Sequence, residues 1–194
     1  MNPFWAKLIW IVGVVGWFVI RLPHQRRSKR TSTVRQAHRM RELVLLSISL
    51  TGMVIVPAIY VFTGHPSFAT YAFQPSIAWL GTGVFACSLW LFDRTHKDLG
   101  PNWSVTLEVR DRHALVTSGV YCHVRHPMYL AFWLWALAQG LLLPNWVAGL
   151  SGIFGFGTLF FLRLKQEEAL MLERFGEDYR KYMAVSWRVL PGIF

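Results

Sequence analysis

The sequence predicts an all-α integral membrane protein of about five transmembrane helices, the last two forming a helical hairpin, with a cytoplasmic loop before the hairpin and cytoplasmic C-terminal helices after it. Three observations predict this. Hydrophobic residues make up 54% of the 194 residues and charged residues only 15%, against about 25% charged in an ordinary soluble domain. Apolar runs long enough to cross a bilayer recur between clusters of charge. Basic residues then alternate from loop to loop. The length allows one membrane domain, residues 1–194, without a separate soluble catalytic domain. Any chemistry must be built from helix ends and short loops.

The candidate spans run from Phe4 to Ile20, Leu43 to Phe62, Ser76 to Phe92, Met128 to Leu143 and Trp146 to Leu162, each near the roughly 17 to 25 residues that crossing hydrocarbon requires. Residues 1–92 thus hold three spans around a basic cytoplasmic loop, 21–42. Residues 93–194 hold the hairpin 127–162 and a cytoplasmic C-terminus, 163–194. Pro144-Asn145 breaks the hairpin, whose two arms are short enough to thin the bilayer or cross it only partly. Trp5, Trp79, Trp90 and Trp146 lie near span ends, where amphipathic rings prefer the interface.

Sidedness follows from the twenty Lys and Arg residues. Lys7 opens the first span, eight lie from Arg21 to Arg41, five from Arg94 to Arg125 and six from Arg163 onward, with none from Thr63 to Pro75 or in the hairpin turn. The positive-inside rule places the first loop, the third loop and the C-terminus in the cytoplasm and the N-terminus outside. The same distribution accounts for the net charge of +10. The run Arg26-Arg27-Ser28-Lys29-Arg30 lies between two spans and is expected to meet anionic headgroups rather than nucleic acid. The first span lacks the cationic flank and small-residue cleavage site of a secretory signal and is read as retained. Cys87 falls inside a span and Cys122 in a cytoplasmic loop, so no mutual disulfide is expected. Cys122 is read as a free thiol in the wall of a site.

The candidate chemistry lies at the two ends of the hairpin. Arg125-His126-Pro127-Met128-Tyr129 precedes its first arm, and Arg163 with Glu167 and Glu168 closes the second. A hairpin returns its ends to one membrane face, and polar groups gathered at the rim of an apolar bundle are costly enough to indicate function. Pro127 suits the first turn of a helix because it lacks the amide hydrogen that would be orphaned there; His126 then takes the N-cap position. The helix N-terminus so formed attracts a carboxylate. The loop from Asp93 to Tyr129 contains an alternating stretch, Ser104 to Val109, and Gly119, consistent with two extended pieces joined by a turn that wall a polar pocket.

His113, His123 and His126 invite a metal, but Pro127 ends any continuous helix through them and no Cys or carboxylate at suitable spacing completes a zinc signature; no metal is expected. Arg163 and Glu167, four apart on one helical face, are consistent with an intrahelical ion pair as well as with a site. Gly176 is the predicted stop of that helix. Gly149, Gly152, Gly155 and Gly157 give the fifth span a small-residue surface of the kind that packs closely on a neighbouring helix.

The segment from Leu99 to Pro191 resembles the C-terminal catalytic region of the isoprenylcysteine carboxyl methyltransferases, integral membrane enzymes that use S-adenosylmethionine. The matching residues are His113 through Tyr121, Arg125-His126-Pro127-Met128-Tyr129, and Arg163 through Glu168 leading to Phe175-Gly176-Glu177-Asp178-Tyr179, with Tyr182, Arg188 and Pro191 beyond. The resemblance covers about half of the chain, and its central five-residue motif is shared with phospholipid N-methyltransferases and sterol reductases. It implies a cytoplasmic cofactor-binding loop in which His113, Leu115, Val116 and Tyr121 touch S-adenosylmethionine, His126, Pro127 and Tyr129 line the start of the fourth span, and Glu167 binds a polar group of the cofactor. Arg163 matches the family's substrate-side arginine, making Arg163 and Glu167 the catalytic pair. Glu168 is the adjacent acid or a support behind it.

The implied function is methyl transfer to the carboxylate of a prenylated cysteine, forming a methyl ester at the cytoplasmic face and releasing S-adenosylhomocysteine. A carboxylate is already ionised at neutral pH, so no general base is required. The alternatives are N-methylation of a phospholipid amine, which needs a route for proton loss, and a non-catalytic adaptor whose basic loop binds lipid.

Overall fold

A computed structural model describes residues 1–28, 33–36, 39–100, 108–110 and 114–192. Its elements are α1 (Pro3–Ser28), β1 (Thr33–Gln36), α2 (Arg39–Leu50), a π turn (Thr51–Ile55) leading into α3 (Val56–Thr63), α4 (Pro75–Leu99), β2 (Glu108–Arg110), α5 (Pro127–Leu142), α6 (Trp146–Phe175) and α7 (Glu177–Val185). Among the described residues, four helical stretches are long and apolar enough to cross a membrane: Pro3–Arg26, Met40–Thr63, Pro75–Leu99 and Trp146–Phe175. Pro127–Leu142 is a shorter apolar helix beside them.

The expected fifth span is therefore only the first part of a longer helix. α6 runs unbroken for 30 residues, because Leu162 is followed by good helix formers until Gly176, whose φ of +51° ends it. α4 likewise continues past Phe92 to Leu99.

Contacts at the two ends of the bundle establish how the helices alternate. At one end, Lys7 donates to the Val61 carbonyl at 3.3 Å and sits 4.7 Å from the Tyr60 ring. The hairpin turn reaches this same end: Asn145 donates to the Pro66 carbonyl at 2.7 Å and to Thr70 Oγ1 at 3.0 Å, and Tyr71 N–H donates to the Pro144 carbonyl at 3.0 Å. Asn145 Oδ1 also accepts from Ala148 N–H at 2.9 Å, capping α6. The hairpin thus extends as far as the 64–74 loop despite the brevity of α5, about 24 Å at 1.5 Å per residue.

At the opposite end Arg41 donates to the Leu162 carbonyl at 3.0 Å, and β1 pairs antiparallel with β2. Glu108–Arg110, at the end of the expected Ser104 to Val109 stretch, pairs with the first loop; 104–107 lie outside the described residues, and 114–117 form no strand. Among the described residues this ribbon is the one sheet in an otherwise helical chain, with isolated bridges at Thr70–Asn145 and Val124–Trp187. It joins two loops that charge alone had placed on one side.

Inside the bundle an aromatic cluster fills the space between α1, α4 and α5: Trp17 and Trp135 lie 5.4 Å apart between ring centroids and Phe85 and Trp135 5.6 Å apart. The α6 glycines make close helix contact, as their spacing predicted. A Cβ on Gly155 would stand 2.9 Å from the Ile48 carbonyl oxygen, and one on Gly52 would stand 2.2 Å from that of Ser151. Hydrophobicity does not drive helices together in lipid, so backbone approach and interhelical hydrogen bonds must. The π turn exposes the Gly52 carbonyl, which accepts from Gln139 at 3.2 Å and from Ser151 at 2.7 Å. Trp5, Trp79, Trp90 and Trp146 are all exposed on the outer surface, as interfacial rings should be.

Candidate active site

A cavity of about 450 Å³ opens among the helices at the ribbon end. Its polar end is lined by Tyr121, Arg125, His126, Tyr129, Arg163 and Glu167, with residues 114–116 alongside, and its apolar depth by Trp17, Leu50, Met53, Trp135 and Phe156. Both hairpin ends meet there, as a hairpin requires.

Local structure explains how each group arrives. Pro127 is the first residue of α5 and His126 its N-cap. The His126 ring stacks on Tyr129 with centroids 5.4 Å apart, so one helical turn presents both to the cavity. Pro127 itself is buried and does not line the wall; Met128 does. Gly119 has a φ of +63°, and a Cβ there would fall 2.2 Å from Asp98 Oδ2. The same carboxylate accepts from Val120 N–H at 2.8 Å. Asp98, at the end of α4, thereby sets the turn that aims Tyr121 inward. Cys122, expected in the wall, is exposed instead; its neighbour Tyr121 takes that place.

The C-terminal segment fastens this loop from behind. Arg125 N–H donates to the Trp187 carbonyl at 2.7 Å, His126 N–H to that of Arg188 at 3.0 Å, and Trp187 N–H to that of His123 at 2.9 Å. Tyr182 donates its hydroxyl to the Tyr121 carbonyl, and the Arg125 guanidinium donates to the Ser186 carbonyl and to that of Met183, the latter at 3.1 Å. Burial pushes the Tyr182 phenol up to about 12, opposed in part by the Arg125 charge. Burial and then Glu167 hold Tyr121 well above the ordinary phenol range. Both are neutral at physiological pH.

The two adjacent acids do different work. Glu167 lines the cavity and accepts the Tyr129 hydroxyl hydrogen bond. Glu168 turns to the clasp: Arg188 reaches it through Nε at 3.0 Å and Nη2 at 2.9 Å, Arg125 Nε lies 3.4 Å away and His126 Nε2 3.5 Å away. Arg163 is 8% exposed and turns its Nε toward Glu42 Oε2 at 3.5 Å, across from α6 to the start of α2. Glu167 also acts on it electrostatically. Arg163 is thus tied across to another helix, beyond the intrahelical pair that its spacing suggested.

Of the residues expected in the site, Leu115, Val116, Tyr121, His126, Tyr129, Arg163 and Glu167 converge on the cavity; His113 lies outside the described residues. Sequence reasoning overlooked Glu42, although one signal pointed to it: it is the only acidic residue before Asp93. Arg21, on α1 over the Trp17 ring at 4.9 Å, also lines the cavity and had been counted only as a loop charge. Among the described residues no group of three His, Cys, Asp or Glu side chains is arranged to hold a metal.

The site is that of a helical membrane bundle in which a cavity joins a polar rim to an apolar interior. The chain matches the model of the isoprenylcysteine carboxyl methyltransferase (ICMT) family over residues 82–173, a little under half of its length. It is 31% identical over 134 residues to a protein-S-isoprenylcysteine O-methyltransferase of Dictyostelium discoideum, covering 66% of this chain and 53% of the relative. It is 37% identical over 81 residues to the human protein of that name, covering 42% and 28%. The chain spans about half or less of the length of these relatives. Its fold is similar to that of the eukaryotic intramembrane Ras methyltransferase ICMT, with a TM-score of 0.53 and 24% identity over 81% of this chain and 54% of that one.

Proposed function

We propose that this protein transfers a methyl group from S-adenosylmethionine to the carboxylate of a prenylated cysteine at the cytoplasmic membrane face. The observation that carries the reading is the single cavity in which Arg163 and the Glu167–Tyr129 pair share a polar end with an apolar interior of Trp17, Met53 and Phe156. One end suits ions and the other suits an isoprenoid chain. The reading also sets the N-terminus outside and the basic 21–42 loop against anionic headgroups.

The donor set fits the cofactor. Glu167, steadied by Tyr129, offers negative charge to its cationic groups; the α5 N-terminus beside His126 suits its carboxylate; Leu115, Val116 and Tyr121 offer backbone and an aromatic face. S-adenosylmethionine supplies a methyl group on a sulfonium cation. Arg163 holds the acceptor carboxylate through charge-assisted hydrogen bonds and leaves one oxygen directed at the methyl carbon. Transfer of that methyl to the acceptor would exchange a carbon–sulfur bond for a carbon–oxygen bond and cancel opposite charges. Apolar walls favour that cancellation by excluding water. No proton moves, in keeping with Tyr121 and Tyr182 held neutral.

The test is a radiolabelled methyl-transfer assay with the purified protein, offering a prenylcysteine, a carboxylate lipid and an aminophospholipid. Base-labile label on the prenylcysteine is the expected result. Base-stable label on the aminophospholipid would replace this reading with N-methylation.

A further inference from the structure

The geometry points to Glu42 as the residue that positions Arg163 and sets how firmly it grips the acceptor's anionic group; this rests on the acceptor-binding role proposed above for Arg163. Glu42 belongs to α2, outside the matched 82–173 segment. It is the only carboxylate in the first 92 residues, a region carrying nine Lys and Arg. It is 3% exposed, with Oε2 facing Arg163 Nε at 3.5 Å. Burying a carboxylate is costly unless a charge partner answers it, and Arg163 is the partner given by this geometry.

Two consequences follow from where the pair lies. Arg163 lines the cavity, whereas Glu42 is not among the described residues that do. The Nε edge of the guanidinium thereby faces the Glu42 carboxylate from α2 as an ion pair without a hydrogen bond, which favours turning the rest of the planar group toward a ligand; a lysine ammonium has no such edge. The second consequence is electrostatic. A carboxylate bound to an uncompensated buried arginine would be held tightly and made a poor nucleophile. With Glu42 already answering part of the charge, the acceptor is oriented while its oxygen stays reactive.

The distinguishing signature is a split between KM and kcat. In the 194-residue chain in lipid nanodiscs, Glu42→Gln keeps an oxygen to face Arg163 Nε and removes only the Glu42 share of the charge that answers Arg163. The expected result is an acceptor KM lowered about 5-fold and kcat lowered about 10-fold, with S-adenosylhomocysteine affinity within about twofold of wild type. Glu42→Asp, which keeps the charge but draws it back, should lie between. A merely structural Glu42 would instead let Arg163 swing away, raising KM. Either a raised KM or values indistinguishable from wild type in both variants would overturn the proposal. Glu42→Asp alone decides the matter if Glu42→Gln fails to bind S-adenosylhomocysteine, since an unchanged or raised KM counts against it. Wild-type turnover in the same assay reports on the function itself, and the variant-to-wild-type ratios report on Glu42.

Discussion

Glu168 and Arg188 meet side by side, Nε to Oε1 at 3.0 Å and Nη2 to Oε2 at 2.9 Å, and so tie the C-terminal segment to α6. Because Arg125 and His126 approach the same carboxylate at 3.4 and 3.5 Å, this pair holds the loop that presents one wall of the cavity. The turn beside the cavity is therefore built on a contact between residues that do not line it.

Arg188→Ala should loosen the clasp without removing any group from the cavity. Arg188 is one-third exposed in its side chain, so the expected loss is modest, about 1–2 kcal/mol. Thermal unfolding in detergent should fall, and S-adenosylhomocysteine should bind more weakly in proportion.

Arg163→Lys should abolish most activity while leaving the cofactor in place. A lysine cannot keep both the Glu42 contact and a two-point grip on a carboxylate, and a loss of kcat/KM of at least about 100-fold is expected. Near-wild-type turnover with unchanged S-adenosylhomocysteine affinity would remove Arg163 from the acceptor role.

Tyr129→Phe removes the hydroxyl that donates to Glu167 but preserves the ring that stacks on His126. A hydrogen bond to a charged group contributes about 1.5–3 kcal/mol, so cofactor affinity should weaken by roughly 10-fold or more. Isothermal titration separates this from a change in acceptor KM.

Gly119→Ala tests the turn that aims Tyr121. The positive φ and the approach of a Cβ to Asp98 at 2.2 Å together predict a destabilisation of about 1–3 kcal/mol. Cys122, exposed next door, should then react faster with a thiol reagent. Unchanged labelling would show that the turn tolerates the side chain.

The clasp should also open in alkali. Burial raises the Tyr182 pKa to about 12, above an ordinary phenol near 10. Its contribution to stability is complete below pH 10 and is lost as pH rises through 12. Tyr182→Phe should remove that dependence, measured as tail proteolysis against pH.

The helices and their alternation were legible because they follow from local composition. Apolar runs, the Pro144-Asn145 break and the Lys/Arg distribution each act over a few residues, and the end contacts of Lys7, Asn145 and Arg41 agree with them. The length of α6 was less legible, since charge at Arg163 marks a change of environment and not an end of helix.

The sequence by itself determined that this is a helical membrane protein and that His126, Tyr129, Arg163 and Glu167 share one end of a hairpin, because hydropathy, Pro127 and helical spacing are local properties. Only the tertiary structure decided the partners. It separated Glu167, in the cavity beside Tyr129, from its neighbour Glu168, turned toward Arg188, and it brought Glu42 from 121 positions away to Arg163. Adjacent residues on a helix point about 100° apart, so which acid meets which arginine depends on what packs against each face. No spacing rule along the chain contains that information.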